Sequence, residues 1–195
     1  MSTLDLILII SVVVLLLIGI GVLVIVGRRR RAHLKERFGS EYDRTLNHSA
    51  SRGKAEADLL KREKQHDKLD LRPLSPSARQ RYADDWSSLQ SRFIDRPQAT
   101  VADADELLLQ LMADRGYPAG KFEAQADVIS VDHPELVENY RVAHAVQART
   151  AAGKASTEDL RRAVVSYRAL FEELLREGNA DAPHEQLVGA ASGVH

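Results

Sequence analysis

Seven histidines, five tyrosines and 28 Asp and Glu residues are the side chains that could do chemistry here, and there is no cysteine to supply a thiolate nucleophile, a disulfide or a soft metal ligand. Zinc binding by a single helix needs spacing of the H-E-x-x-H type, and acyl transfer from a nucleophile elbow needs G-x-S-x-G. Neither pattern occurs, nor does a Gly-rich phosphate loop. His133 and His144 are eleven residues apart, which on a helix puts three turns between them and denies them a shared metal. Each is expected to cap a helix or face water. His66 lies in a run of charged residues and reads as a surface residue.

The carboxylates give no better convergence. Asp84 and Asp85 adjoin each other, as do Glu172 and Glu173, but helical neighbours point about 100° apart and do not meet on one substrate. Asp103 and Glu106 can share a direction, yet beside Asp105 near a helix start they are explained by the positive end of the helix dipole. Tyr82, Trp86, Tyr140 and Tyr167 fall on inward faces, where core packing is expected, with polar tips that could line a shallow groove. No catalytic, cofactor-binding or metal-binding residue is assigned.

The elements that would position these groups are easier to read. Leu6 to Gly27 carries no charge and runs into Arg28-Arg29-Arg30-Arg31. As a helix it is about 33 Å long, enough to cross a hydrocarbon core. A cleavable signal peptide would have a basic start, a shorter apolar run and a small-residue cleavage site, whereas the only early charge is Asp5. Gly19, Gly21 and Gly27 lack the G-x-x-x-G spacing of a pairing helix.

Charge then sets an orientation. Lys and Arg within about 15–20 residues of a span stay on the cytoplasmic side. Arg28, Arg29, Arg30, Arg31, Lys35 and Arg37 all lie after the span, and none precedes it. Residues 1–5 are therefore expected outside and the rest of the chain in the cytoplasm. The same six residues are expected to contact the membrane surface, at about 1 kcal/mol each near anionic headgroups. The whole chain has a formal charge of −1; with six Lys/Arg and one Glu in 28–37 and Asp5 before them, the chain from Phe38 onward is net −5. That sign disfavours general nucleic-acid binding.

Beyond the basic cluster the periodicity is helical throughout. Gly39-Ser40 offers a break, with a short helix through Tyr42 and Leu46, and NHSASRG from Asn47 reads as a hinge. Lys54–Asp70 is rich in helix formers and mixed charge, with only Ala55, Leu59, Leu60 and Leu69 apolar; it is expected to be a solvated spacer, the alternative being a partner helix that covers this narrow stripe. Pro73 closes it, and Ser75-Pro76 opens a helix with Ala78, Tyr82, Trp86, Leu89 and Phe93 inward. A second helix, from about Ala99 to Arg115, faces Val101, Ala104, Leu108, Leu111 and Met112 inward. A third carries Phe122, Ala126 and Ile129. Asp132 and Glu135 are expected to cap a fourth around Pro134, with Leu136, Tyr140 and Ala143 inward. Ser156 caps a fifth that carries Leu160, Tyr167, Leu170, Phe171 and Leu174. The expected fold is all-α: a transmembrane helix over 6–27, a basic juxtamembrane segment and charged helical spacer over 28–71, a four- to five-helix bundle over 72–176, and a disordered tail over 177–195.

The runs RFGSEYDRTL from Arg37, LRPLSPSARQRYADDW from Leu71, DRGYP from Asp114, VDHPELVENYRVAH from Val131 and STEDLRRAVVSYRALFEELL from Ser156 together resemble a family of bacterial proteins with one N-terminal membrane helix and a helical cytoplasmic module. The resemblance implies a bacterial source and brings no catalytic or binding residues with it.

The functional expectation is a membrane-anchored, non-enzymatic interaction or scaffolding module. Its partners would be the lipid bilayer and another protein, with no cofactor, nucleic acid or small-molecule substrate. Two alternatives are an enzyme of hydrolase type, with a site assembled from scattered Asp, Glu, His and Tyr, and a lipid-responsive sensor using Arg28 to Arg37.

Overall fold

The computed structural model describes residues 3–177, with side chains from Val12 onward. Seven α-helices, and no strand, occur among the described residues. The chain divides into two compact units between Lys61 and Arg62.

In the first unit, α1 (Thr3–His48) carries the apolar stretch. From Val12 to Val26 its large hydrophobic side chains are exposed, Leu23 to 73%, and it is long and apolar enough to cross a membrane. At Gly39 the backbone leaves helical geometry, with φ 47° and ψ −124°; a residue with a Cβ is disfavoured there. The helix resumes through Tyr42 and Thr45. After the turn at 49–51 comes α2 (Arg52–His66), within which the division between units falls. Glu56 ties it to α1: its Oε1 accepts from the Tyr42 hydroxyl at 3.2 Å and faces Arg31 Nε at 3.3 Å.

The expected solvated spacer needs correction here. Ala55 and Leu59, one turn apart, have no exposed surface. Two apolar residues at that spacing suffice to seat one side of a helix, while the charged residues between them keep the other side in water. The helix also ends at His66, four residues earlier than its composition suggested.

The second unit contains α3 (Pro76–Ser91), α4 (Pro97–Asp114), α5 (Phe122–Asp132), α6 (Val137–Ala151) and α7 (Thr157–Arg176). α7 packs on α4 and α6, α3 on α4, and α5 on α6. Local chemistry sets the ends. The Ser75 side chain accepts from the Ala78 N–H, and Ser156 with Asp159 forms a reciprocal capping box. Gly153 closes α6 at φ 66°. One hydrophobic core draws Tyr82, Trp86, Leu108, Leu111, Tyr140, Tyr167 and Phe171 from four of these helices. Trp86 stacks on Phe171 with ring centroids 4.6 Å apart.

Three details differ from the sequence reading. Phe93 is only partly buried, because α3 stops at Ser91 and the chain turns before the next inward position. α4 starts at Pro97, two residues ahead of the start expected near Ala99, with the proline in its first turn, where a missing N–H costs nothing. Asp132 does not cap α6: it ends α5, and α6 starts at Val137 without a side-chain cap. Of the tail expected over 177–195, only Glu177 lies within the described residues.

Candidate functional site

Two places concentrate the chain's chemistry, one in each unit. In the first, the exposed apolar surface of α1 ends in four consecutive arginines. At 100° per residue these spread around the whole helix circumference, forming a collar of charge instead of a stripe. Arg28, Arg29, Arg30 and Lys35 are exposed. Arg31 leans toward Glu56 while its side chain stays half exposed, and Arg37 is partly buried. Such a collar can hold anionic headgroups at one depth on every side of the helix.

In the second unit, three tyrosines are held by polar partners, Tyr167 and Tyr140 in the interior and Tyr82 on the exposed Asp114. Tyr167 donates to Asp105 Oδ1 at 2.8 Å, Tyr140 to Gln125 Oε1 at 2.9 Å and Tyr82 to Asp114 Oδ2 at 2.7 Å. Burial, reinforced by neighbouring carboxylates, raises all three phenols; Tyr82 is pushed up to about 12. They remain protonated donors near neutrality. Asp105, expected at the helix surface, is buried instead, because Tyr167 supplies the donor a buried carboxylate requires.

The histidines were placed least well from sequence. His66 is no surface residue: its side chain is 12% exposed and its Nε2 pairs with Asp132. Nearby, Arg62 pairs with Asp127 at 3.1 Å. His144 stacks on Phe122 at 3.9 Å between ring centroids. His133 takes the C-cap position of α5, but buried, with Nε2 3.1 Å from Glu177 Oε1. The other oxygen of Glu177 accepts from Arg115 Nη1 at 2.5 Å. Arg115 itself is 4% exposed. It also donates to the carbonyls of Leu174 at 2.7 Å and Arg72 at 3.3 Å. Burial alone would push the Glu177 carboxyl up, but contact with His133 and Arg115 more than offsets this and holds it below the ordinary carboxylate value. The sequence signal for this cluster was slight: an arginine directly before the helix-ending Gly116, on the side of α4 that faces the core.

Shallow clefts also mark the surface formed by the described residues of the second unit. One, of about 390 Å³, is lined by Asp95, Arg96, Pro97, Thr157 and Leu160. Another, of about 230 Å³, is lined by Asp85, Arg92, Asp103, Glu106 and Gln110, with Arg92 3.4 Å from Asp103. Neither includes a histidine or a tyrosine. No group of three or more His, Asp or Glu among the described residues is arranged to hold a metal. No family model, curated protein or solved structure matches the chain.

Proposed function

We propose that the chain is a single-span membrane protein of a bacterial cell, with its N-terminus outside and α3–α7 forming a cytoplasmic bundle that acts as a non-enzymatic interaction module. The observation that carries this reading is the exposed apolar surface of α1 from Val12 to Val26, continuous with the arginine collar. Leaving that surface in water costs about 25 cal/mol for each Å², and a hydrocarbon layer removes the penalty. The one-sided arginines favour a cytoplasmic placement for the helices C-terminal to them. A non-enzymatic role is supported by the way the second unit's interior polar groups are committed to each other, Asp105 to Tyr167 and Gln125 to Tyr140. Tethering raises a partner's effective concentration at the membrane without requiring extensive contact.

Because the chain is free of cysteine, Ser2→Cys and Ser192→Cys each create a unique handle. A membrane-impermeant maleimide should label Ser2→Cys on intact cells, and Ser192→Cys only after permeabilisation; the reverse pattern overturns the topology. Crosslinking in native membranes should capture the same protein partner repeatedly with the wild-type chain and lose it when the span is deleted. Failure to capture any protein sinks the interaction role.

A further inference from the structure

The Arg115 guanidinium is fixed by groups that do not include Glu177. Its Nε and Nη1 donate to the carbonyls of Arg72 and Leu174, and its charge lies 5.9 Å from the centroid of the Tyr117 ring. His133 is equally fixed: its N–H donates to Ile129 O at 2.8 Å, and its carbonyl accepts from Leu136 and Val137. Tyr117 is 4% exposed, and its buried hydroxyl has no hydrogen-bond partner, although it lies beside the Glu177 carboxylate. Carbonyls satisfy the guanidinium N–H groups but cannot neutralise its charge, and a buried cation without a counter-ion is strongly unfavourable. Asp132, the other carboxylate near Tyr117, is engaged by His66.

Glu177 differs from the three groups around it. It stands where the chain leaves α7, in extended geometry at φ −58° and ψ 139°, and its side chain is 26% exposed. Arg115, His133 and Tyr117 are thus buried, while the Glu177 carboxylate is partly exposed where α7 ends. Its Oε2 accepts from Arg115, while its Oε1 lies 3.1 Å from His133 Nε2, within ion-pair reach but not aligned as a hydrogen bond. The carboxylate is thus held by one charge-assisted hydrogen bond, with an imidazole nitrogen and a phenol hydroxyl beside it that are buried and have no hydrogen-bond partner.

We infer that Arg115, His133 and Tyr117 form a carboxylate-binding site, filled in cis by Glu177 and able to accept a carboxylate from another molecule in its place. The ligand class is a carboxylate with access from the α7 end, either a free small acid or an acidic side chain on a peptide.

The test uses the full chain in detergent, with thermal unfolding followed by the fluorescence of Trp86, its single tryptophan. Glu177→Ala should lower the transition by on the order of 10 °C, since it strands a buried cation. Sodium acetate, titrated near neutral pH against sodium chloride at constant ionic strength, should raise it again. The gain should be about 6 °C at ten times the dissociation constant, with chloride inert and the wild type unmoved. Adding Tyr117→Phe should raise the half-saturating acetate concentration several-fold. A capped glutamyl tripeptide run in parallel separates the sources: a lower half-saturating concentration than acetate assigns the site to a peptide side chain, a higher one to a free acid. If Glu177→Ala has no cooperative transition, its appearance with acetate and not with chloride is the supporting result. Equal effects of acetate and chloride, or an equal acetate shift in the wild type, overturn the site. Glu177→Gln, which keeps the space filled, should respond to acetate far less than Glu177→Ala; an equal response also counts against it.

Discussion

Tyr167 on α7 donates its hydroxyl hydrogen to Asp105 on α4 at 2.8 Å, and the tyrosine has no exposed surface. The pair joins two packed helices with a directional bond in an otherwise apolar layer. Removing one partner leaves the other buried and unsatisfied, which costs more than the bond itself contributed. Tyr167→Phe should therefore destabilise the second unit by about 1–3 kcal/mol. Adding Asp105→Ala should cost less than the two single changes combined. Urea unfolding of the single and double variants, followed through Trp86, measures the coupling, and strict additivity would show the bond to be incidental.

Phe171 stacks on Trp86 and lies at the junction of α3 and α7. Phe171→Ala removes a fully buried ring and should cost about 3–5 kcal/mol. The same variant should shift Trp86 emission to the red as water reaches the indole. Ile94, 89% exposed, is the control: Ile94→Ala should change stability by less than about 0.5 kcal/mol.

Gly116 has φ 92°, and a Cβ there would press into the backbone carbonyl of Asp70. Both the dihedral and the space require glycine. Gly153, at φ 66°, has open space around it. Gly116→Ala should therefore cost more than Gly153→Ala, which carries only the left-handed penalty of about 1–2 kcal/mol. Paired chemical denaturation decides this, and equal costs would mean that the Asp70 segment simply moves away.

The Glu177 carboxyl lies below its ordinary value in the folded chain, with burial opposing and His133 and Arg115 prevailing. A carboxyl lowered by folding stabilises fully above its unfolded value, and the contribution disappears as pH falls through the folded value. Stability should thus drop below about pH 5, and Glu177→Gln should flatten that part of the profile. Thermal scans between about pH 6 and about pH 3 provide the check. An unchanged slope in Glu177→Gln would assign the acid sensitivity to other carboxylates.

What the sequence made legible was local. The apolar run of α1, the break at Gly39 and the Ser75 and Ser156 caps are each set within a few residues of one another. The inward faces of α4 and α7 come from a 3.6-residue period. The polar ties were hidden because they join distant positions: His66 to Asp132 across 66 residues, Asp105 to Tyr167 and Arg115 to Glu177 across 62 each. A carboxylate near a helix start looks the same in sequence whether it faces water or a buried hydroxyl. His66 looked exposed because its neighbours on α2 are charged, and only folding supplies the Asp132 that draws it in.

The bend at Gly39 has a mechanical consequence. It comes twelve residues after Gly27, so about 18 Å of straight helix separates it from the end of the apolar segment. That distance exceeds the headgroup layer, which places the bend in water if the span is seated as proposed. Helices tilt by about 20° to match bilayer thickness, and over this arm such a tilt displaces Gly39 sideways by about 6 Å. The helix is then a lever, turning the tilt of the span into a lateral position for the bend and for α2, which Glu56 fastens to α1 on both sides of it.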